Sequence, residues 1–170
     1  MEGDPRKTKF SPIDKWEEGV EDAATADGRF LSFERKLSEL GIALSKDSKI
    51  LEVGSGNNIF LQHLQDLGYD AVGLDARPRG DKAEKVVRAR IERLPFRDNA
   101  FEFVISHAVF DADVYFQDQD EMAKEIVRVL KPGGVYYGAL NMGSEIQFEE
   151  YFETLKSPRD EFDDGVYRKR

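Results

Sequence analysis

From Lys49 to Leu140 the chain alternates short apolar runs with stretches whose apolar residues recur every three or four positions. The runs KILEV from Lys49, Ala71 to Leu74, Val86 with Val87, Phe101 to Ser106, and VYYGAL from Val135 have the length and β-branched or aromatic content of buried strands. Between the first two runs, Ile59, Phe60, Leu64 and Leu67 share one helical face, and Gly68 stops that helix. Met122, Ile126, Val127 and Leu130 mark a second helix, closed by Lys131, Pro132 and Gly133. The link ARPRGDKAEK before the third strand has room for little more than a turn of helix. Strand and helix in this order predict a Rossmann-like, doubly wound α/β fold. Its mostly parallel sheet is covered on both faces and joined by right-handed crossovers.

The flanks are patterned differently. Residues 1–48 read as an N-terminal helical cover: Ser11 and Pro12 suit a helix start, and Phe30, Phe33, Leu37 and Leu40 form one apolar face ending at Gly41. That face is expected to pack on the sheet. Residues 49–142 form the α/β core. In residues 143–170, Ile146, Tyr151, Phe152 and Leu155 suggest a further amphipathic helix followed by a polar tail, all within a single domain. The sheet is therefore expected to be shortened at its C-terminal end, stopping at five strands or gaining a minimal one at Gly165 to Arg168. VYYGAL has neither Pro nor Lys to protect an edge, so it is expected to lie under the C-terminal segment or in a homodimer.

The chemistry enters at KILEVGSGNN, where a strand runs into Gly54 and Gly56, and Asn57 and Asn58 open a helix. Glycines there leave no side chain between backbone and ligand, while the amides of the helix start offer donors. The second strand ends in Asp75, 21 positions beyond Gly54, where a doubly wound fold places an acid against ribose hydroxyls. An adenosine-type cofactor is implied.

Two further segments, ERLPFRDNAFEFVIS (92–106) and EIVRVLKPGG (125–134), follow in a distinctive order. With them, the chain from about Lys49 to Leu140 resembles the class I S-adenosylmethionine-dependent methyltransferases, especially the small-molecule branch typified by quinone-biosynthesis enzymes. The resemblance implies S-adenosylmethionine as cofactor and in-line transfer of its methyl group, for which the protein must mainly bind, exclude water and align. It also implies cofactor-binding roles for Glu52, Gly54 and Gly56 at the methionine end, Asp75 at the ribose and the Ile91 amide at the adenine, with Ser106 completing the set. The resemblance further implies an alternative for the N-terminal helix, a lid over the cofactor with Phe10 or Trp16 lining the substrate site. Two positions depart from the family pattern. Arg90 stands where many relatives carry an acid for the adenine amino group, and it has donors only; its other reading is a surface cation paired with Glu92 or Asp81. Asn58 stands where a third glycine is common, although Asn tolerates a left-handed backbone.

The 170-residue chain carries 25 basic and 34 acidic side chains, a formal charge of −9 that disfavours nucleic acid as a partner and leaves a small-molecule substrate. It contains no Cys, which excludes disulfides, thiolate catalysis and Cys-ligated zinc. No apolar run reaches the ~18 residues of a membrane span and no signal-peptide core is visible, so a soluble, cytoplasmic protein is expected. SHAVFDADVY brings His107, Asp111, Asp113 and Tyr115 to the carboxyl edge of the sheet. His107 is the candidate catalytic base; it otherwise bonds a loop carbonyl. No metal is expected, and His63 reads as structural or exposed. Besides a methyltransferase, two alternatives stand: a methyltransferase-like binding or regulatory protein without activity, and a NAD-dependent oxidoreductase. The last is weakened by Ile59, which occupies the place of the dinucleotide fingerprint's last Gly or Ala.

Overall fold

Strand β1 (Lys49–Val53) is apolar on both sides because both sides are covered: Ile50 packs in one core layer, and Leu51 and Val53 in the other. It lies between β2 (Asp70–Asp75) and β4 (Phe101–Ser106), and both pairings are parallel. β3 (Val86–Arg88) extends the sheet beyond β2, and β5 (Leu130–Gly138) lies beyond β4, again parallel. The computed structural model describes residues 23–78, 84–107, 119–138, 148–157 and 164–170. Several expectations fall outside them: the helix start at Ser11 and Pro12, Phe10, Trp16, Asp81, Asp111, Asp113, Tyr115, Ile146, and the end of the fifth strand at Ala139 and Leu140.

Helix α1 (Ala23–Glu39) and helix α2 (Ile59–Asp66) cover one face. Phe30, Phe33 and Leu37 of α1 are buried against Phe103, Tyr137 and Phe60, as the apolar stripe requires. The helix stops where Gly41 takes φ 67° and the Ile42 amide returns to the Leu37 carbonyl at 2.9 Å. Leu67, counted with the buried face of α2 from its spacing, is 37% exposed instead, because the helix ends at Asp66 and Gly68 turns the chain at φ 86°. Helix α3 (Gln119–Val129) covers the other face with Met122, Ile126 and Val129, each contributing about 1.5–3 kcal/mol by burial. It gives way to β5 at Leu130, earlier than the Lys-Pro-Gly stop suggested. The LKPGG segment forms an irregularity in the strand, with Phe101 facing Leu130 and Phe103 facing Val135.

The C-terminal end corrects the sequence reading. The sheet does not stop at five strands: its order is β3-β2-β1-β4-β5-β7-β6, with β7 the antiparallel member. Tyr151, Phe152 and Leu155 do not share a helix. A single turn, α4 (Phe148–Tyr151), leads into β6 (Phe152–Lys156), which pairs with β7 (Gly165–Lys169). Cross-strand pairing and burial of Phe152 against Tyr136 override the helical spacing. β7 also pairs with β5 from Val135 to Gly138, so β5 is an interior strand. A homodimer through the fifth-strand edge would have to displace β7 between Val135 and Gly138.

Candidate functional site

The carboxyl ends of β1, β2 and β4 meet at one edge, and the loop after β1 is built for close approach. Gly54 and Gly56 have φ 75° and 52°, and Asn58 adopts the left-handed conformation at φ 63° that a third glycine would take. Asn58 is held there by the Ser55 hydroxyl, which donates to its Oδ1 at 2.8 Å, while the Asn57 carboxamide oxygen accepts from the Ile59 amide at 3.3 Å. The loop is anchored to β2: the Gly54 and Ser55 amides both donate to the Leu74 carbonyl, at 2.7 and 3.1 Å. Among the described residues, a Cβ built on Gly56 would approach nothing more closely than the Gly54 carbonyl at 4.0 Å, which leaves an open cradle beside the glycine.

Asp75 terminates β2 beside that cradle. Its Oδ2 accepts the Gly56 amide at 2.9 Å and its Oδ1 accepts the Arg77 amide at 2.7 Å. A carboxylate has about four acceptor sites, and two of them are taken by these amides. The Ala89 amide donates to the Asp75 carbonyl at 3.1 Å, which brings the short 3-10 turn Ile91–Arg93, and Ile91 with it, to the same edge. The Arg90 guanidinium pairs with Glu92 at 2.5 Å and is exposed, as one of the two readings of that departure held. Glu52 is 3% exposed near the end of β1.

Ser106 and His107 part company at the end of β4. The Ser106 hydroxyl shares a 2.5 Å hydrogen bond with the Tyr136 hydroxyl inside the α3-side core, which turns it away from the face that carries Glu52. Burial holds the Tyr136 phenol well above its usual range. A Cβ on Gly138 would strike this pair and the Ser106 carbonyl, so glycine is required there. His107 lies on the other face, edge-on to Phe60 at 5.1 Å, with Nδ1 3.3 Å from Asp164 Oδ2. The Lys36 ammonium, fully buried, donates to the Asp164 carbonyl at 2.5 Å and lies 5.6 Å from the centre of the Tyr137 ring. His63 lies 3.6 Å from Asp27 and edge-on to Phe30, a contact between α1 and α2.

The structure places Gly54, Gly56, Asp75 and Ile91, all singled out in the sequence, at one edge. Sequence reasoning missed Asp164, Lys36 and Tyr137. Asp164 is a lone acid in a polar tail, and the one available signal was the short Gly-Val-Tyr run after it, which reads as a strand start.

A sheet of this order with a glycine loop after its first strand and an acid closing its second has the architecture of the doubly wound, nucleotide-binding class of folds. Residues 51–138 match the model of the methyltransferase domain, and the chain belongs to the class I S-adenosylmethionine-dependent methyltransferase family. Among curated proteins it is similar to the biotin biosynthesis bifunctional protein BioHC of Cellvibrio japonicus, 27% identical over 117 residues covering 64% of this chain and 23% of the relative. It is also similar to the sterol 4-C-methyltransferase strm-1 of Caenorhabditis elegans, 28% identical over 132 residues covering 67% of this chain and 38% of the relative. The chain thus spans less than two fifths of either relative's length. The crystal structure of the PH0226 protein from Pyrococcus horikoshii OT3 shares the fold, with a TM-score of 0.68 at 18% identity over 92% of this chain and 99% of that one.

Proposed function

We propose that this protein binds S-adenosylmethionine at the carboxyl edge of β1 and β2 and directs its methyl group to a small-molecule acceptor. The observation that carries the reading is the Gly56 amide on the Asp75 carboxylate, which ties an open glycine cradle to a carboxylate with acceptor sites to spare. The residues present fit the group. Gly54 and Gly56 admit it against the backbone, Asp75 would take its ribose hydroxyls, Glu52 would face its amino group, and the Ile91 amide would meet its adenine. Bound there, the cofactor supplies an activated methyl on a sulfonium; the chain's part is to hold it, exclude water and align the nucleophile. A small molecule as acceptor is supported by the net charge of −9, which is unfavourable for a polyanion, and by the small-molecule chemistry named in both curated relatives. Titration calorimetry with S-adenosylmethionine, S-adenosylhomocysteine and NAD tests this reading. Saturable binding of the first two and none of NAD is expected; binding of NAD alone, or of none, contradicts it.

A further inference from the structure

Glu52, Ile105 and Tyr137 are register neighbours on β1, β4 and β5, and His107, two residues past Ile105, continues the same face onto the carboxyl edge. The His107 side chain is 10% exposed and that of Asp164 is 17% exposed. Asp164 comes from the residue immediately before β7, where Gly165 pairs with Gly138, and Lys36 of α1 binds its carbonyl. With Lys36 holding the Asp164 backbone, Asp164, Phe60 of α2 and Tyr137 of β5 therefore converge on one imidazole. Its Nδ1 faces a carboxylate. Its Nε2 is buried and, among the described residues, has no hydrogen-bond partner.

A neutral imidazole carries one proton, and a carboxylate beside Nδ1 favours placing it there, which leaves Nε2 as an acceptor. A buried acceptor left unpaired is unfavourable by about 1–3 kcal/mol, and such orphans are uncommon enough to indicate a group that binds during function. We infer that His107 Nε2 is the general base toward the methyl acceptor, that Asp164 is its positioning residue, and that the acceptor presents a protic oxygen or nitrogen. The inference rests on the methyl-transfer reading above. In the step it assigns, the nucleophile's oxygen or nitrogen forms a bond to the methyl carbon as the carbon–sulfur bond breaks and its electron pair stays on sulfur. The nucleophile's proton passes to Nε2. The products are the methylated acceptor, the thioether and an imidazolium facing Asp164, which then loses its proton to solvent. The 3.3 Å approach of Nδ1 to Asp164 is of the kind that tightens in a working complex.

The chain has two histidines, so nitrogen-15 imidazole spectra at pH 8.5, assigned with His107→Asn, report the tautomer of each. The expected result is a proton on Nδ1 of His107 in the native chain, a shift of proton population to Nε2 in Asp164→Ala, and recovery in Asp164→Glu. S-adenosylhomocysteine affinity in Asp164→Ala should stay within about twofold, which also reports that the variant is folded. With tritiated methyl donor, turnover of a catechol or an alkylamine should fall about 10²–10⁴-fold in His107→Asn, with KM for S-adenosylmethionine little changed. A native His107 protonated on Nε2, a tautomer indifferent to Asp164, or any acceptor turned over equally by the native chain and His107→Asn overturns the inference. Absence of S-adenosylhomocysteine binding by the native chain instead removes the methyl-transfer reading, so the two failures are told apart.

Discussion

Single residues at the sheet edge divide into those that organise a ligand's place and those that hold the edge together. Asp75 is expected to do both, since its carboxylate fixes the Gly56 and Arg77 amides and, among the described residues, has acceptor capacity left. Asp75→Ala should weaken S-adenosylhomocysteine binding by at least ~1.5 kcal/mol, the low end for hydrogen bonds to a charged group, in calorimetry. Ser106 is expected to belong to the second kind. Its hydroxyl is consumed by Tyr136 in the core, so Ser106→Ala and Tyr136→Phe should each cost about 1 kcal/mol or more in denaturant melts. The double variant should fall short of their sum, and S-adenosylhomocysteine affinity should hold in Ser106→Ala. Full additivity would deny the coupling. Asp75 was legible in the sequence because an acid closing an apolar strand is a local signal. Asp164 was not: what makes it significant is contact with His107, 57 positions earlier by subtraction, and no local periodicity encodes that.

At the scale of elements, α3 is clamped to the Leu-Pro-Phe turn by one guanidinium. Arg128 donates to the Leu94 and Phe96 carbonyls at 2.9 and 2.7 Å, to Glu125 and to Asp98, while Glu125 accepts the Leu94 amide at 2.6 Å. Hydrogen bonding to Arg128 holds the Glu125 carboxyl below its ordinary value near 4.5. A depressed carboxyl stabilises the fold above its unfolded pKa, and that contribution disappears as pH falls through the folded value. Arg128→Met should therefore destabilise at pH 7 by on the order of 2 kcal/mol, and the deficit should shrink below the ordinary carboxylate range. An equal deficit at pH 7 and in acid would contradict the clamp. The β6–β7 hairpin covers β5 and is tied to α1 through Lys156–Glu39 and Lys36–Asp164. Truncation after Ser144 should accordingly expose the edge of Val135, Tyr136 and Tyr137, and light scattering should report aggregation. A truncated chain that stays monomeric and equally stable would contradict that role. The hairpin was the illegible element because Phe152 and Leu155, three apart, satisfy a helical period by coincidence in a strand carrying a register shift. The parallel strands β1, β2 and β4 were legible because burial on both faces leaves continuous apolar runs.

Across the whole molecule, the seven-stranded order brings four separate stretches of sequence to one carboxyl edge: the glycine loop, Asp75, the Ile91 turn and His107. The doubly wound class could be read from the alternation of strands and helices, while closure of the sheet by an antiparallel hairpin needed long-range pairing that sequence pattern does not carry. On the proposed reading the cofactor sits at this edge, and the choice of acceptor is left to the surrounding loops. The central claim, that S-adenosylmethionine binds at this edge, is tested most directly by mapping amide chemical shifts on addition of S-adenosylhomocysteine. Saturable shifts at Gly54, Gly56, Asp75 and Ile91, with Gln65 and Lys85 at the opposite end of the sheet unmoved, are expected. No shifts, or shifts confined to the surface recess lined by Gln65, Tyr69 and Glu84, would contradict it.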